Sequence, residues 1–239
     1  MPLPTLTLNP TPAAFLFDFD GVLVDSERLH CATMSRALTA RYPHLPPITW
    51  SDYTATLMGS DDRDAFRALL RRASIDPEPT LLQSLVDAKA ALFAAEAAAG
   101  HIPALPGAPD FVRACAAHYP VALCSGALRT DIAPLLPVLG LENVFTAIVT
   151  AEDVPRSKPD PSTYLLGLDR LRSATNLPLP ASQCWAIEDT PDGIASARSA
   201  GLPVLALTTQ FPSSRLLSSG ATLTAPDLLR LPPAPLTLE

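Results

Sequence analysis

The stretch FLFDFDGVLVDSE, residues 15–27, decides the reading of this chain. An apolar strand pattern beginning at Ala14 runs into Asp18, Phe19, Asp20 and Gly21. Side chains two residues apart in a strand point the same way, so Asp18 and Asp20 project together from its end. Two ionised carboxylates that close repel, which raises one pKa unless a cation stands between them. A magnesium ion resolves the conflict, being hard, oxygen-liganded and usually retaining several waters. Gly21 then allows a tight turn that brings backbone N–H groups close to an anion. An Asp-x-Asp pair alone fits a solvated acidic turn equally well, so the rest of the chain has to decide.

Beyond the first run, Ala14–Phe19, four more short apolar runs recur: Val121–Cys124, Ala147–Thr150, Cys184–Ile187 and Val204–Leu207. Each is bounded by turn residues and suits a strand buried on both faces of a parallel sheet. Helical patterns lie between them at Pro109–His118, Thr130–Leu139, Pro161–Leu171 and Asp192–Ala200, the last closed by Gly201. The alternation predicts an α/β fold with a Rossmann-like, doubly wound parallel sheet. Residues 26–104 break the rhythm with three helical stretches, Arg28–Tyr42, Asp62–Ala73 and Leu81–Ala99, and no convincing strand. The expected organisation is a core domain of residues 1–25 and 105–239, interrupted by a helical-bundle cap domain at 26–104. That insertion point is where a lid would cover a site at the carboxyl edge of the sheet.

Composition narrows the function classes. The chain has 239 residues, 48% apolar and 17% charged, enough apolar surface to offset the entropy of ordering a backbone. Its 27 prolines make about 11% of the chain, roughly twice the usual ~5%, and stiffen its loops. A net charge of −7 argues against a nucleic-acid binder, whose affinity comes from cations neutralising phosphates. It leaves room for one small phosphorylated ligand in a locally basic pocket. Only two of the 17 cations are lysines, Lys89 and Lys158, so each is either retained for chemistry or a plain surface residue. The four cysteines form no metal-like or CxxC spacing and read as buried thiols in a reducing compartment. The proline-broken, uncharged N-terminus does not read as a signal peptide, and the run Ser199–Ser214 is too short to span a bilayer. The expectation is a cytoplasmic monomer with no membrane partner.

Three more motifs fall at predicted strand ends. IEDTPDG, 187–193, places adjacent carboxylates Glu188 and Asp189 at the edge where open α/β sheets bind ligands. Asp192 reads there as the cap of the following helix. ALCSGALR, 122–129, sets Ser125 and Gly126 between a strand and a helix start, the form of a phosphate cradle, though Ser-Gly after a strand is common. SKPDP, 157–161, holds Lys158 between stiffening prolines, where preorganised charge could neutralise phosphoryl and carboxylate groups together.

In this order, the four motifs resemble those of the haloacid dehalogenase superfamily over nearly the whole chain. The position of the insert is similar to the helical cap of subfamily I. DSERLH, 25–30, with SGALR and SKPDP, looks most like the β-phosphoglucomutase-like phosphatase branch. The resemblance implies that Asp18 is the nucleophile that becomes an aspartyl phosphate, and that Asp20 protonates the leaving oxygen and then activates water. It implies Mg²⁺ held by the Asp18 side chain, the Asp20 carbonyl and Asp189, with Glu188 a further ligand or an outer partner. Ser125, Gly126 and Lys158 would hold the phosphoryl group.

In the cap, His30 falls where the mutases carry a substrate-recognition histidine, or is a helix-surface residue. Lys89 could reach substrate from above or be solvated. Gly59, in LMGSDDRD at 57–64, resembles the substrate-specificity turn. The mutases keep an arginine closer to that glycine, whereas here Ser60, Asp61 and Asp62 precede Arg63. Arg63, Arg67 and Arg71 read as a solvated helix face, and Arg129 as a substrate contact or a surface residue. The implied function is a Mg²⁺-dependent phosphatase for a small phosphorylated metabolite, a sugar phosphate or a relative of one. The alternatives are a β-phosphoglucomutase-type mutase, a haloacid dehalogenase, which would need neither Asp20 nor the Glu188–Asp189 pair, and a non-catalytic phosphate binder.

Overall fold

In a computed structural model, which describes residues 8–58, 60 and 62–229, strand β1 (Ala14–Phe17) is buried along its whole length. Its side chains alternate between two cores. Ala14 and Leu16 join a cluster with Cys124, Val149, Tyr164 and Ile194. Phe15 and Phe17 face the other way, each meeting Phe111 edge-on, with Tyr119 and Phe145 completing the aromatic set. A strand covered on both faces has no polar side, which is why it reads as a continuous apolar run.

The chain forms two compact units, one containing the residues up to Asp25 and from Pro103 onward, the other Ser26–Ile102. The second unit is helical: α1 (Glu27–Arg41), α2 (Trp50–Thr56), α3 (Asp62–Arg72) and α4 (Pro79–Ala98). Helix α4 packs on α1 and α3 around Met34, Leu38, Tyr53, Phe66, Leu70 and Leu85. Helix α2 was not expected. Thr49 caps it by accepting the Asp52 N–H and donating its own hydroxyl to the Asp52 carboxylate.

The first unit continues with α5 (Ala108–Ala116), β2 (Val121–Cys124), α6 (Arg129–Ile132), α7 (Leu135–Val138), β3 (Ala147–Val149), α8 (Ser162–Thr175), β4 (Cys184–Glu188), α9 (Pro191–Ser199), β5 (Val204–Leu207), α10 (Ser213–Ser218) and β6 (Leu223–Ala225). All strand pairs are parallel, in the order β3-β2-β1-β4-β5-β6. This is the Rossmann-like, doubly wound arrangement. Phe17 stands level with both Leu123 and Ile187, so β1, β2 and β4 end together. Asp18, Ser125 and the Glu188–Asp189 pair therefore leave the sheet along one edge.

Two local expectations are corrected. The stretch Thr130–Leu139 is not one helix. Pro134 and Pro137 carry no N–H for an α-helical bond, and the segment divides into α6 and α7 with Pro134 between them. The cap of α9 is Thr190, whose hydroxyl accepts the Gly193 N–H, so Asp192 sits within the first turn. Strand β6 is an addition, only three residues long and only partly buried, too weak a pattern to read. The four cysteines are buried and unpaired. Among the described residues, no helix is long and apolar enough to cross a membrane.

Candidate active site

Two strand ends and one stiff loop bring three charges together. The Lys158 ammonium donates to Asp18 Oδ1 at 2.7 Å and to Glu188 Oε1 at 2.6 Å, with both carboxylates buried and the lysine largely so. The loop that carries Lys158 is pinned at its far end, where Asp160 accepts the Ser162 N–H and its carbonyl accepts the Ser196 hydroxyl at 2.6 Å. Burial opposes the ammonium, but Asp18 and Glu188 outweigh it and hold its pKa above the ordinary lysine value. The Tyr164 ring lies 5.1 Å from the same Nζ, a favourable cation–π distance.

Glu188 is fully buried and has its oxygens occupied. Oε1 accepts from Lys158 and from the Tyr164 hydroxyl at 2.7 Å. Oε2 accepts from the Asp189 and Thr190 N–H groups and the Thr190 hydroxyl. A Cβ at Gly193 would collide with this carboxylate, so the absence of a side chain there makes room for it.

Asp189 is its opposite. Among the described residues, Oδ1 is buried without a hydrogen-bond partner, and Oδ2 has the Thr209 hydroxyl at 3.3 Å. Gly21 adopts φ +73°, and a Cβ on it would run into Asp189 Oδ2. Both the left-handed turn and the close approach require glycine. Burial, followed by the charges of Glu188 and Asp18, raises the Asp189 pKa well above the carboxylate range. Asp18 is pushed up to about 7 by burial, with Glu188 and Asp20 adding to the rise and Lys158 opposing it.

These features test whether a divalent cation fits. Ligand oxygens from Asp18, Glu188 and Asp189 lie within 4.8 Å of one another. Three carboxylates share one ammonium, and one buried oxygen has nothing to accept from. A hard cation on Asp18 and Asp189 would supply the missing charge and occupy the bare Oδ1. The residues fit such an ion. Asp20 is not one of the clustered carboxylates. It stands two residues beyond Asp18, partly exposed, where Asp20 and Val24 form a bridge.

The rest of the edge is polar. Ser125 is buried after β2, and its hydroxyl oxygen accepts the Ala127 N–H at 3.0 Å. Gly126 lies close to Ser157, whose hydroxyl would be 3.1 Å from a Cβ placed there. Arg129 is half-exposed, and its guanidinium pairs with Asp153 at 3.0 Å.

Within the helical unit, Lys89 is buried, which corrects the reading of a solvated lysine. Its Nζ donates to His30 Nδ1 at 2.7 Å and to Asp62 Oδ2 at 2.8 Å. Burial and the Lys89 charge lower the His30 pKa to about 3, so the ring is neutral and Nδ1 is the acceptor. Its ring stacks on Phe93 at 4.4 Å. Arg63 is exposed and bonded to Gln83, and Arg67 pairs with Asp64, as a solvated face requires. Gly59 lies outside the described residues.

Two contributors were missed from sequence. Tyr164, six residues after Lys158, follows from no motif, although a tyrosine on the inward face of a helix needs a partner for its hydroxyl. Thr209 lies in an unremarkable Thr-Thr after β5, and only the sheet order places it beside Asp189.

A family model for haloacid dehalogenase-like hydrolases matches residues 12–201. CbbY of Cupriavidus necator is 30% identical over 230 residues, spanning 90% of this chain and 85% of that protein. Fructose-1-phosphate phosphatase YqaB of Escherichia coli is 28% identical over 192 residues, spanning 80% and 93%. The crystal structure of CbbY from Rhodobacter sphaeroides in complex with phosphate aligns with a TM-score of 0.75 at 24% identity, covering 91% and 95%, a likeness of fold. With a match over most of its length and a sheet edge that gathers Asp18, Lys158, Glu188 and Asp189, this chain belongs to the haloacid dehalogenase-like hydrolase family.

Proposed function

We propose that the chain is a Mg²⁺-dependent phosphatase that hydrolyses a small phosphomonoester, a sugar phosphate or related metabolite, through an aspartyl phosphate on Asp18. The observation that carries this reading is the Lys158 ammonium held between Asp18 and Glu188, beside the bare Oδ1 of Asp189. The names of relatives such as fructose-1-phosphate phosphatase support the substrate class.

Asp18, the Asp20 carbonyl and Asp189 would hold the metal, while Glu188, with both oxygens already accepting, anchors Lys158. When bound, the cation supplies positive charge that offsets the phosphoryl oxygens and keeps the carboxylates ionised. A carboxylate oxygen of Asp18 attacks phosphorus as the bond to the leaving oxygen breaks. Asp20 gives that oxygen a proton, then takes one from the water that attacks the acyl phosphate, returning Asp18 and releasing phosphate. Lys158 and the Ser125 hydroxyl donate to the phosphoryl oxygens, adding positioning and electrostatic stabilisation that need no reorganisation.

The test is phosphate release from a panel of phosphorylated metabolites with Mg²⁺ and with EDTA. Release from sugar phosphates that EDTA abolishes is expected. Activity that survives EDTA would overturn the metal reading, and conversion of β-glucose 1-phosphate to glucose 6-phosphate without net phosphate release would replace hydrolysis by transfer.

A further inference from the structure

We propose that Thr209 is a positioning residue for the metal, fixing which oxygen of Asp189 is presented to it; this inference rests on the divalent-metal reading above. Thr209 follows β5, the strand next to β4, and reaches across the sheet edge to two residues distant in sequence. Its hydroxyl donates to the Gly21 carbonyl at 2.8 Å and lies 3.3 Å from Asp189 Oδ2. One hydroxyl thus joins the loops that follow β1, β4 and β5.

The consequence is an asymmetric carboxylate. Oδ2 takes the longer arm of the single Thr209 proton, at 3.3 Å against 2.8 Å to the Gly21 carbonyl, while Oδ1 is buried and has no partner among the described residues. Without the hydroxyl, the Asp189 carboxylate could turn about its terminal torsion and present either oxygen. With it, Oδ2 is held and Oδ1 is left as the free oxygen before any ion arrives. Partners that orient a ligand in this way typically carry about 10- to 100-fold in metal affinity. The glycine turn takes part in the same arrangement. The Gly21 N–H donates to the Val24 carbonyl at 2.8 Å, holding in place the carbonyl that receives Thr209. Thr209 is itself exposed, so replacing it leaves no cavity in the core.

The experiment is a calorimetric titration of the metal-free full chain with Mg²⁺, without substrate, alongside thermal unfolding of the same metal-free samples. Thr209→Val is expected to weaken Mg²⁺ binding about 10- to 100-fold with the metal-free Tm lowered by no more than about 4 °C, and Thr209→Ser to restore wild-type affinity. A Val variant that binds Mg²⁺ as tightly as the wild type overturns the inference and leaves the metal reading standing. So does a Ser variant as weak as Val, since the methyl group would then be what matters. A wild-type chain that binds no Mg²⁺ overturns the metal reading and this inference together.

Discussion

Replacing Asp18 by Asn is expected to lower phosphatase turnover by at least about 10³-fold while the protein stays folded. The side-chain oxygen of Asn still accepts the Lys158 hydrogen bond, so the contact seen at 2.7 Å has a successor. What is lost is the nucleophile, because an amide oxygen cannot form the acyl phosphate. Removing one of three crowded carboxylates also relieves repulsion, so the metal-free variant should unfold no earlier than the wild type. Acid quenching during turnover followed by peptide mass spectrometry is the decisive readout. The wild type should carry phosphate on Asp18 and the variant none. Turnover within tenfold of the wild type would remove Asp18 from the nucleophile's role.

Lys158 is the second large effect, and it acts on stability as well as rate. Lys158→Met leaves Asp18 and Glu188 buried without their counter-charge, a loss that typically costs about 3–5 kcal/mol. The cost should depend on pH in a definite direction. Asp18 titrates at about 7 with the lysine present, and its removal pushes that value higher. At pH 5 both proteins hold Asp18 protonated, whereas above about pH 7 the wild type is free to ionise it and the variant still has to keep the proton, so the gap from wild type widens as pH rises through that window. Urea unfolding of metal-free protein at the two pH values measures it. Turnover should fall at least about 10²-fold, and Lys158→Arg should not restore it, because a planar guanidinium cannot reproduce a compact ammonium between two carboxylates. Equal stability of variant and wild type at pH 8 would contradict this account.

The core sheet was legible because burial on both faces leaves a strand no polar residues, and FLF, VALC and VLAL say so directly. Asp18, Asp189 and Lys158 were legible because turn residues beside a charged group mark a strand end. What escaped depended on contacts between distant loops. Thr209 carries no local pattern, and only the pairing of β5 with β4 brings it to Asp189. Lys89 stays open between a substrate contact and a solvated residue in the sequence because α4 is alanine-rich and its weak amphipathicity does not reveal the inward face. Its burial comes from His30 and Asp62 on other helices. Strand β6 and the break at Pro134 are the remaining cases. In the first, three partly buried residues are held by pairing to β5; in the second, the periodicity ran on where proline removed a donor.

At the centre of the account, Asp18 and Asp189 share one divalent ion while Lys158 stands opposite on Asp18 and Glu188. Crystals grown with Mn²⁺, an oxygen-seeking ion whose anomalous scattering marks its position, examine that directly. The account predicts one peak within about 2.0–2.4 Å of oxygens from both Asp18 and Asp189, with Lys158 still bonded to Glu188. A peak bound elsewhere, or none beside these two carboxylates, would contradict it.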